Sequence, residues 1–187
     1  MVTTDDLSTF HAFEASPNQV LGYHSSVRSA CAAIEELGFL PNKIFPLEDH
    51  NALIKMAAAY QVDSSDLQTW LAMRSVTFTR RPDEAIYHIQ QGSAGGQGLK
   101  NLTAIIKELS PKVSGQERTF VDCLKSKIEE VRADQPVTYI VDLSNLGPRL
   151  DPDRVQPFYY YRWHPDKEFP MVSELGPDRI LVKLIHK

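Results

Sequence analysis

The stretch that most constrains this chain is "PVTYIVDL", residues 136–143. Its apolar run is nearly continuous, which marks a central strand rather than a half-solvated one. A central strand needs neighbours on both sides. Strand patterns are offered by Gln19–Tyr23, by "SVTFT" (75–79), by "FYYYRW" (158–163), by "EFPMVSEL" (168–175) and by "DRILVKLIHK" (178–187). In 75–79, Val76 and Phe78 alternate onto one side.

Between these lie helical patterns. Val27–Leu37 carries Ala30, Ile34 and Leu37 at helical spacing, with Ser25 or Ser26 as the N-cap and Gly38 just past the end. Asp49–Gln61 follows behind an aspartate cap, and Ser65–Met73 sets Leu67, Trp70 and Leu71 on one face. "RPDEAIYHIQQ" starts a helix at Pro82, with Asp83 and Glu84 at the positive end of its dipole. "LKNLTAIIKEL" and "ERTFVDCLKSKIEEV" are amphipathic helices. The predicted class is α+β in one domain over 1–187, with helices concentrated early and strands late. "GSAGGQG" (92–98) is a lid or a linker, and 146–157 is a proline-rich turn region.

Bulk properties narrow the function. The chain has 187 residues and a formal net charge of −4, so overall charge does not draw nucleic acid to it. No apolar run approaches the ~20 residues needed to span a bilayer. The N-terminus has neither a basic n-region nor a long apolar h-region, so no signal peptide is expected. The expected location is a cytoplasm, that of its own cell or of a target cell after delivery. Cys31 and Cys123 are expected on the buried sides of their helices, and two cysteines alone build no zinc site. No metal site is expected.

Candidate chemistry sits at four places. His24-Ser25-Ser26 stands where a strand hands over to a helix: its imidazole and hydroxyls suit sugar hydroxyls, and its backbone suits a planar amide. In 75–87 the hydroxyls of Ser75, Thr77 and Thr79 border a pocket, and Tyr87 presents a ring for stacking. The glycine-rich 92–98 fits no phosphate-loop pattern, because no Lys-Ser/Thr follows it. Glu168 stands where a late strand begins, whereas Glu174 precedes a turn and is read as structural.

The order of these parts resembles the ADP-ribosyltransferase superfamily in its histidine-tyrosine-glutamate branch, the diphtheria-toxin-like and poly(ADP-ribose)polymerase-like enzymes. The resemblance rests on Tyr23-His24-x-Ser26, then A-x-x-I-x-x-x-G-F-x-P, then "SVTFT", Ala85 and Tyr87, then the strand from Glu168 and the final P-D-R-I. It is also similar to bacterial toxins that place ADP-ribose on DNA or RNA. It covers about 20–45, 74–98 and 137–187; the stretches 45–73 and 99–135 have no counterpart and look like helical insertions.

The resemblance implies a split β-sheet core and NAD as substrate. It implies that His24 binds a ribose hydroxyl, the Ser25 backbone holds the nicotinamide carboxamide, the Ser26 hydroxyl supports the pocket and Tyr87 stacks on nicotinamide. Glu168 becomes the catalytic acid residue. The implied acceptor is a macromolecule, nucleic acid or protein, and an antitoxin or immunity partner fits a toxin-type enzyme. The aromatic run "YYYRWH" (159–164) is the sequence hint of a nucleic-acid acceptor. The chain departs from the family in carrying Ser25 at the usual glycine. Ser75-Val76-Thr77 is similar to the serine-x-serine strand of the arginine-serine-glutamate branch. The alternatives are a catalytically inactive binding module of the same fold, an NAD glycohydrolase, an RNA 2′-phosphotransferase and an unrelated α+β interaction module.

Overall fold

The computed structural model describes residues 1–41, 45–72, 76–90, 96–145, 171–172 and 174–187. Glu168, Ser75, the 159–164 run and residues 92–95 lie outside the described residues. The protein is α+β with a mixed four-stranded sheet. By contacts the chain divides into two compact units: Met1–Pro41, Met73–Ala94 and Asp134–Lys187 form one, and Asn42–Ala72 with Gly95–Ala133 form the other. The second unit falls close to the two stretches that the sequence marks as helical insertions.

The first unit holds the sheet. Its strands are β1 (Val2–Thr4), β2 (Leu21–Val27), β4 (Pro136–Asp142) and β6 (Ile180–Ile185), in the order β1-β6-β4-β2. β1 runs parallel to β6; β4 runs antiparallel to both β6 and β2. The expectation for 136–143 holds, since β4 lies between two strands. The reason is visible in its side chains. Val137, Tyr139 and Val141 pack on one face with Phe39, Val76 and Phe78, while Ile140 packs on the other with Phe10, Tyr23 and Ala85. Both faces are covered, so alternation with polar residues would bury unpaired polar groups. The aliphatic hydroxyl in the middle, that of Thr138, is fully buried and bonds His186 Nε2 at 2.8 Å.

A second, two-stranded sheet pairs β3 (Val76–Thr77) with β5 (Met171–Val172) in antiparallel register. Helix α1 (Leu7–His11) supplies Phe10, and α5 (Pro82–Gln90) supplies Ala85, to one face of the large sheet. Helix α2 (Cys31–Leu37) packs Cys31 and Ile34 against the opposite face. Glu35 of α2 accepts from Lys183 Nζ at 2.6 Å, and the buried Tyr139 hydroxyl points at the same carboxylate oxygen from 3.4 Å. Gly38 ends α2 at φ +81°, and a Cβ there would strike the Leu175 carbonyl, so the turn requires glycine. Phe39 and Leu175 then exchange both backbone bonds, at 2.7 and 3.0 Å.

The second unit is helical: α3 (Leu47–Ala59), α4 (Ser65–Ala72), α6 (Gly96–Leu109) and α7 (Gly115–Ala133). Leu53, Leu67, Leu99, Leu102, Leu109 and Leu124 are its most buried leucines. Helix α3 starts earlier than expected, with Pro46 rather than an aspartate at its N-cap; Asp49 instead meets Lys127 at 3.4 Å. Cys31 is half-buried as its helix face requires, but Cys123 is exposed, because α7 turns Val121, Leu124 and Ile128 inward instead. Residues 96–98 of the glycine-rich stretch are helical, as the first turn of α6.

The largest departure from the sequence reading is at Ser25 and Ser26. They cap no helix. β2 continues through them to Val27, paired residue by residue with β4 from Leu21↔Asp142 to Val27↔Pro136. A 3-10 turn, Arg28–Ala30, then precedes α2, and no side chain caps it. Seven ladder positions outweigh the local capping preference of a serine.

Candidate functional site

β2 is last in the order of the large sheet among the described strands, and its outer side meets the segment 76–79. That meeting is brief. Tyr23 N–H donates to the Thr79 carbonyl at 2.8 Å and Thr79 N–H donates back at 2.9 Å. In an antiparallel ladder the next residue on β2 to face outward is Ser25, and its partner in register would be Thr77. That pair does not form. The Thr77 carbonyl instead lies 3.0 Å from Nδ1 of His24. A carbonyl only accepts, so Nδ1 carries the proton and Nε2 is left as an acceptor. The imidazole thus parts the two strands just beyond the Tyr23–Thr79 bridge. Among the described residues, no backbone bond reaches Ser25 on this outer side.

Aromatic rings hold His24 in place. Phe39 meets it edge-on at 5.0 Å between ring centroids, and Phe78 lies at 5.5 Å. Phe39 in turn packs edge-on against Tyr139 at 5.4 Å. Burial among these rings pushes the His24 pKa below the ordinary histidine range, and the bond to Thr77 only partly opposes it. The ring is therefore neutral near pH 7, as an acceptor at Nε2 requires.

Strand alternation divides the predicted site residues between two faces of the sheet. His24 and Ser26 lie with Phe39 and Tyr139 on the α2 side, whereas Ser25 lies on the α5 side. The Ser25 hydroxyl donates to the Ala85 carbonyl at 2.7 Å, which fixes α5 against β2. Tyr87, two residues further along α5, is 57% exposed, open enough for its ring to face a ligand. Thr77 contributes its carbonyl. Thr79, expected to offer a pocket hydroxyl, is buried and uses it locally, accepting from Arg81 N–H at 2.9 Å and donating to the Arg81 carbonyl at 2.7 Å. It shapes the entry to α5 rather than lining a pocket.

Two residues that the sequence reading did not single out as site residues belong to this neighbourhood. Phe39 fixes the His24 ring, and the only sequence signal was its place after Gly38. Glu84 of α5 has a buried Oε2 with no hydrogen-bond partner among the described residues; the sequence presented it only as an acid at a helix start. No group of three or more metal-ligating side chains occurs among the described residues, and none of their helices is long and apolar enough to cross a membrane.

Compared with protein-family models, with curated proteins and with solved structures, the chain matches none of them. Its class is therefore stated from its own architecture: an α+β protein in which, among the described residues, β2 of a mixed four-stranded sheet bridges to Thr79, just past β3 of a two-stranded sheet, and parts from Thr77 at the half-buried His24.

Proposed function

We propose that this chain is an NAD-dependent ADP-ribosyltransferase, built on a split-sheet core of the kind its sequence resembles. The observation that carries the reading is the parting of β2 from Thr77 at His24. It leaves the outer edge of Ser25 without a backbone partner among the described residues, beside a neutral imidazole, and Ser25 is tied to the helix that carries the exposed Tyr87. A planar carboxamide can complete the ladder at Ser25, taking the Ser25 N–H and giving an N–H to its carbonyl. Nε2 of His24 can accept from a ribose hydroxyl, and Tyr87 can cover the nicotinamide ring.

The chemistry needs little more. Cleaving the nicotinamide–ribose bond passes through an oxocarbenium-like transition state, so rigid holding and one nearby negative charge suffice. Glu168 is assigned that charge; its carboxylate on the ribose would stabilise the cation and steer the acceptor. The acceptor is a macromolecule, with nucleic acid favoured by the aromatic run 159–164. Nicotinamide release from NAD tests the reading. Wild-type protein should release it, Glu168→Gln should lose on the order of 10²–10⁴ in rate, and His24→Ala should weaken binding. Added nucleic acid or lysate that accelerates release names the acceptor class. A folded wild-type protein that releases none, with any addition, refutes the transferase.

One observation favours a second reading, a nucleotide-binding module without turnover. Ser25 carries a side chain committed to the Ala85 carbonyl at the position where the resembled family has glycine. NAD binding without release would select it.

A further inference from the structure

Glu84 is the third residue of α5, which begins at Pro82. A glutamate at that position commonly reaches back to the backbone N–H of the residue before the helix, completing a capping box. Here that donor is already taken. Arg81 N–H goes to the Thr79 hydroxyl at 2.9 Å, because the Tyr23–Thr79 bridge fixes Thr79 just ahead of the helix. Glu84 is thereby released from the cap, and its Oε2 is buried with no hydrogen-bond partner among the described residues. A carboxylate oxygen can only accept. Burying one without a donor is costly, and among the described residues no side chain or amide supplies one, so a ligand donor would be favoured there.

The location says which donor. The next residue, Ala85, takes the Ser25 hydroxyl through its carbonyl at 2.7 Å. Tyr87, three residues on, shares the helix side of Glu84. Glu84 is thus the neighbour in sequence of the residue that Ser25 holds, and one helical turn before Tyr87. A primary carboxamide offers two N–H groups and one carbonyl. The outer edge of Ser25 accounts for the carbonyl and one N–H. We infer that Glu84 accepts the second N–H and is the residue that makes this site select a carboxamide over a carboxylate. The inference rests on the NAD reading. Its chemical consequence is specific: a dinucleotide bearing nicotinic acid in place of nicotinamide would set a carboxylate against Glu84 and be rejected.

The test measures binding, with no need for turnover. The affinities of the full chain for NAD and for nicotinic acid adenine dinucleotide are compared by calorimetry, in the wild type, Glu84→Gln and Glu84→Ala. The wild type should favour NAD by about tenfold or more. Glu84→Gln keeps the shape and can donate to a carboxylate, so the ratio should fall toward one. Wild-type protein that binds both dinucleotides equally overturns the role of Glu84 and leaves the NAD reading standing. So does Glu84→Gln with the wild-type ratio, or Glu84→Ala that lowers both affinities in step. Wild-type protein that binds neither refutes the NAD reading and this role with it. Folding is not expected to intervene, because Glu84→Gln removes the charge from a buried, unpartnered oxygen; its urea midpoint should be no lower than that of the wild type.

Discussion

Replacing His24 with phenylalanine separates packing from polarity at the point where the strands part. The new ring can keep the contacts to Phe39 and Phe78, at 5.0 and 5.5 Å between centroids in the wild type. What it removes is the Nδ1 donor on the Thr77 carbonyl and the free acceptor at Nε2. One neutral hydrogen bond contributes about 1 kcal/mol net, and a carbonyl left partly buried without a donor adds up to about 1 more. The expected loss at pH 8 is therefore about 1–2 kcal/mol. The pH dependence is more diagnostic. Burial lowers the His24 pKa in the folded state, so the unfolded chain binds more protons as pH falls. The stability contributed by the neutral ring is complete above the unfolded histidine pKa of about 6.5 and is lost as pH falls from there through the lower folded value. Phenylalanine has no such loss. Urea denaturation followed by circular dichroism at pH 8 and pH 5.5 should show the gap between the two proteins shrinking at the lower pH. His186, also lowered by burial, is present in both and cancels in the difference. A gap of equal size at both pH values would refute the placement of a neutral, half-buried imidazole between the strands.

Three other perturbations follow from the same framework. Glu35→Ala leaves the Lys183 ammonium, only 14% exposed, without its partner at 2.6 Å; it should cost about 1–3 kcal/mol in urea midpoint analysis, and Lys183→Met in the same chain should recover most of it. If Glu35→Ala leaves stability unchanged, the pair is only a surface contact. Gly38→Ala forces a side chain into φ +81° and against the Leu175 carbonyl; it should cost more than about 2 kcal/mol and speed hydrogen exchange at the Phe39 and Leu175 amides, whereas unchanged exchange would refute that pairing as a fixed link. Thr79→Val should remove the acceptor for Arg81 N–H and return Glu84 to the helix cap; a drop in NAD affinity of about three- to tenfold is expected, and unchanged affinity would separate Glu84 from the ligand.

The legible part of the site was residue type and order. His24, Ser25 and Tyr87 could be picked out because their types and order resemble those of the histidine-tyrosine-glutamate enzymes. Which of them share a face could not. His24 and Ser25 are adjacent in sequence and lie on opposite faces of β2, a consequence of the two-residue period of a strand that a helix-cap reading hides. Thr77 and Thr79 show the same limit: both looked like pocket hydroxyls, yet one acts through its carbonyl and the other closes the entry to α5. The short β1 and α1 gave no clear signal, since β1 has just three residues and buries none of them.

Local chemistry alone determined the elements whose own residues carry the driving force. The apolar run of 137–141 requires cover on two faces wherever it sits, Pro82 with two acids starts a helix in any context, and Gly38 ends one. Tertiary structure decided whatever depends on a partner far along the chain. Ser25 and Ser26 are strand because 137–138 lie beside them, more than a hundred residues away in sequence. His24 Nδ1 takes the Thr77 carbonyl, 53 residues further along the chain. A hydrogen-bonding group takes the partner that the fold brings to it, and that partner is not written in the residues on either side.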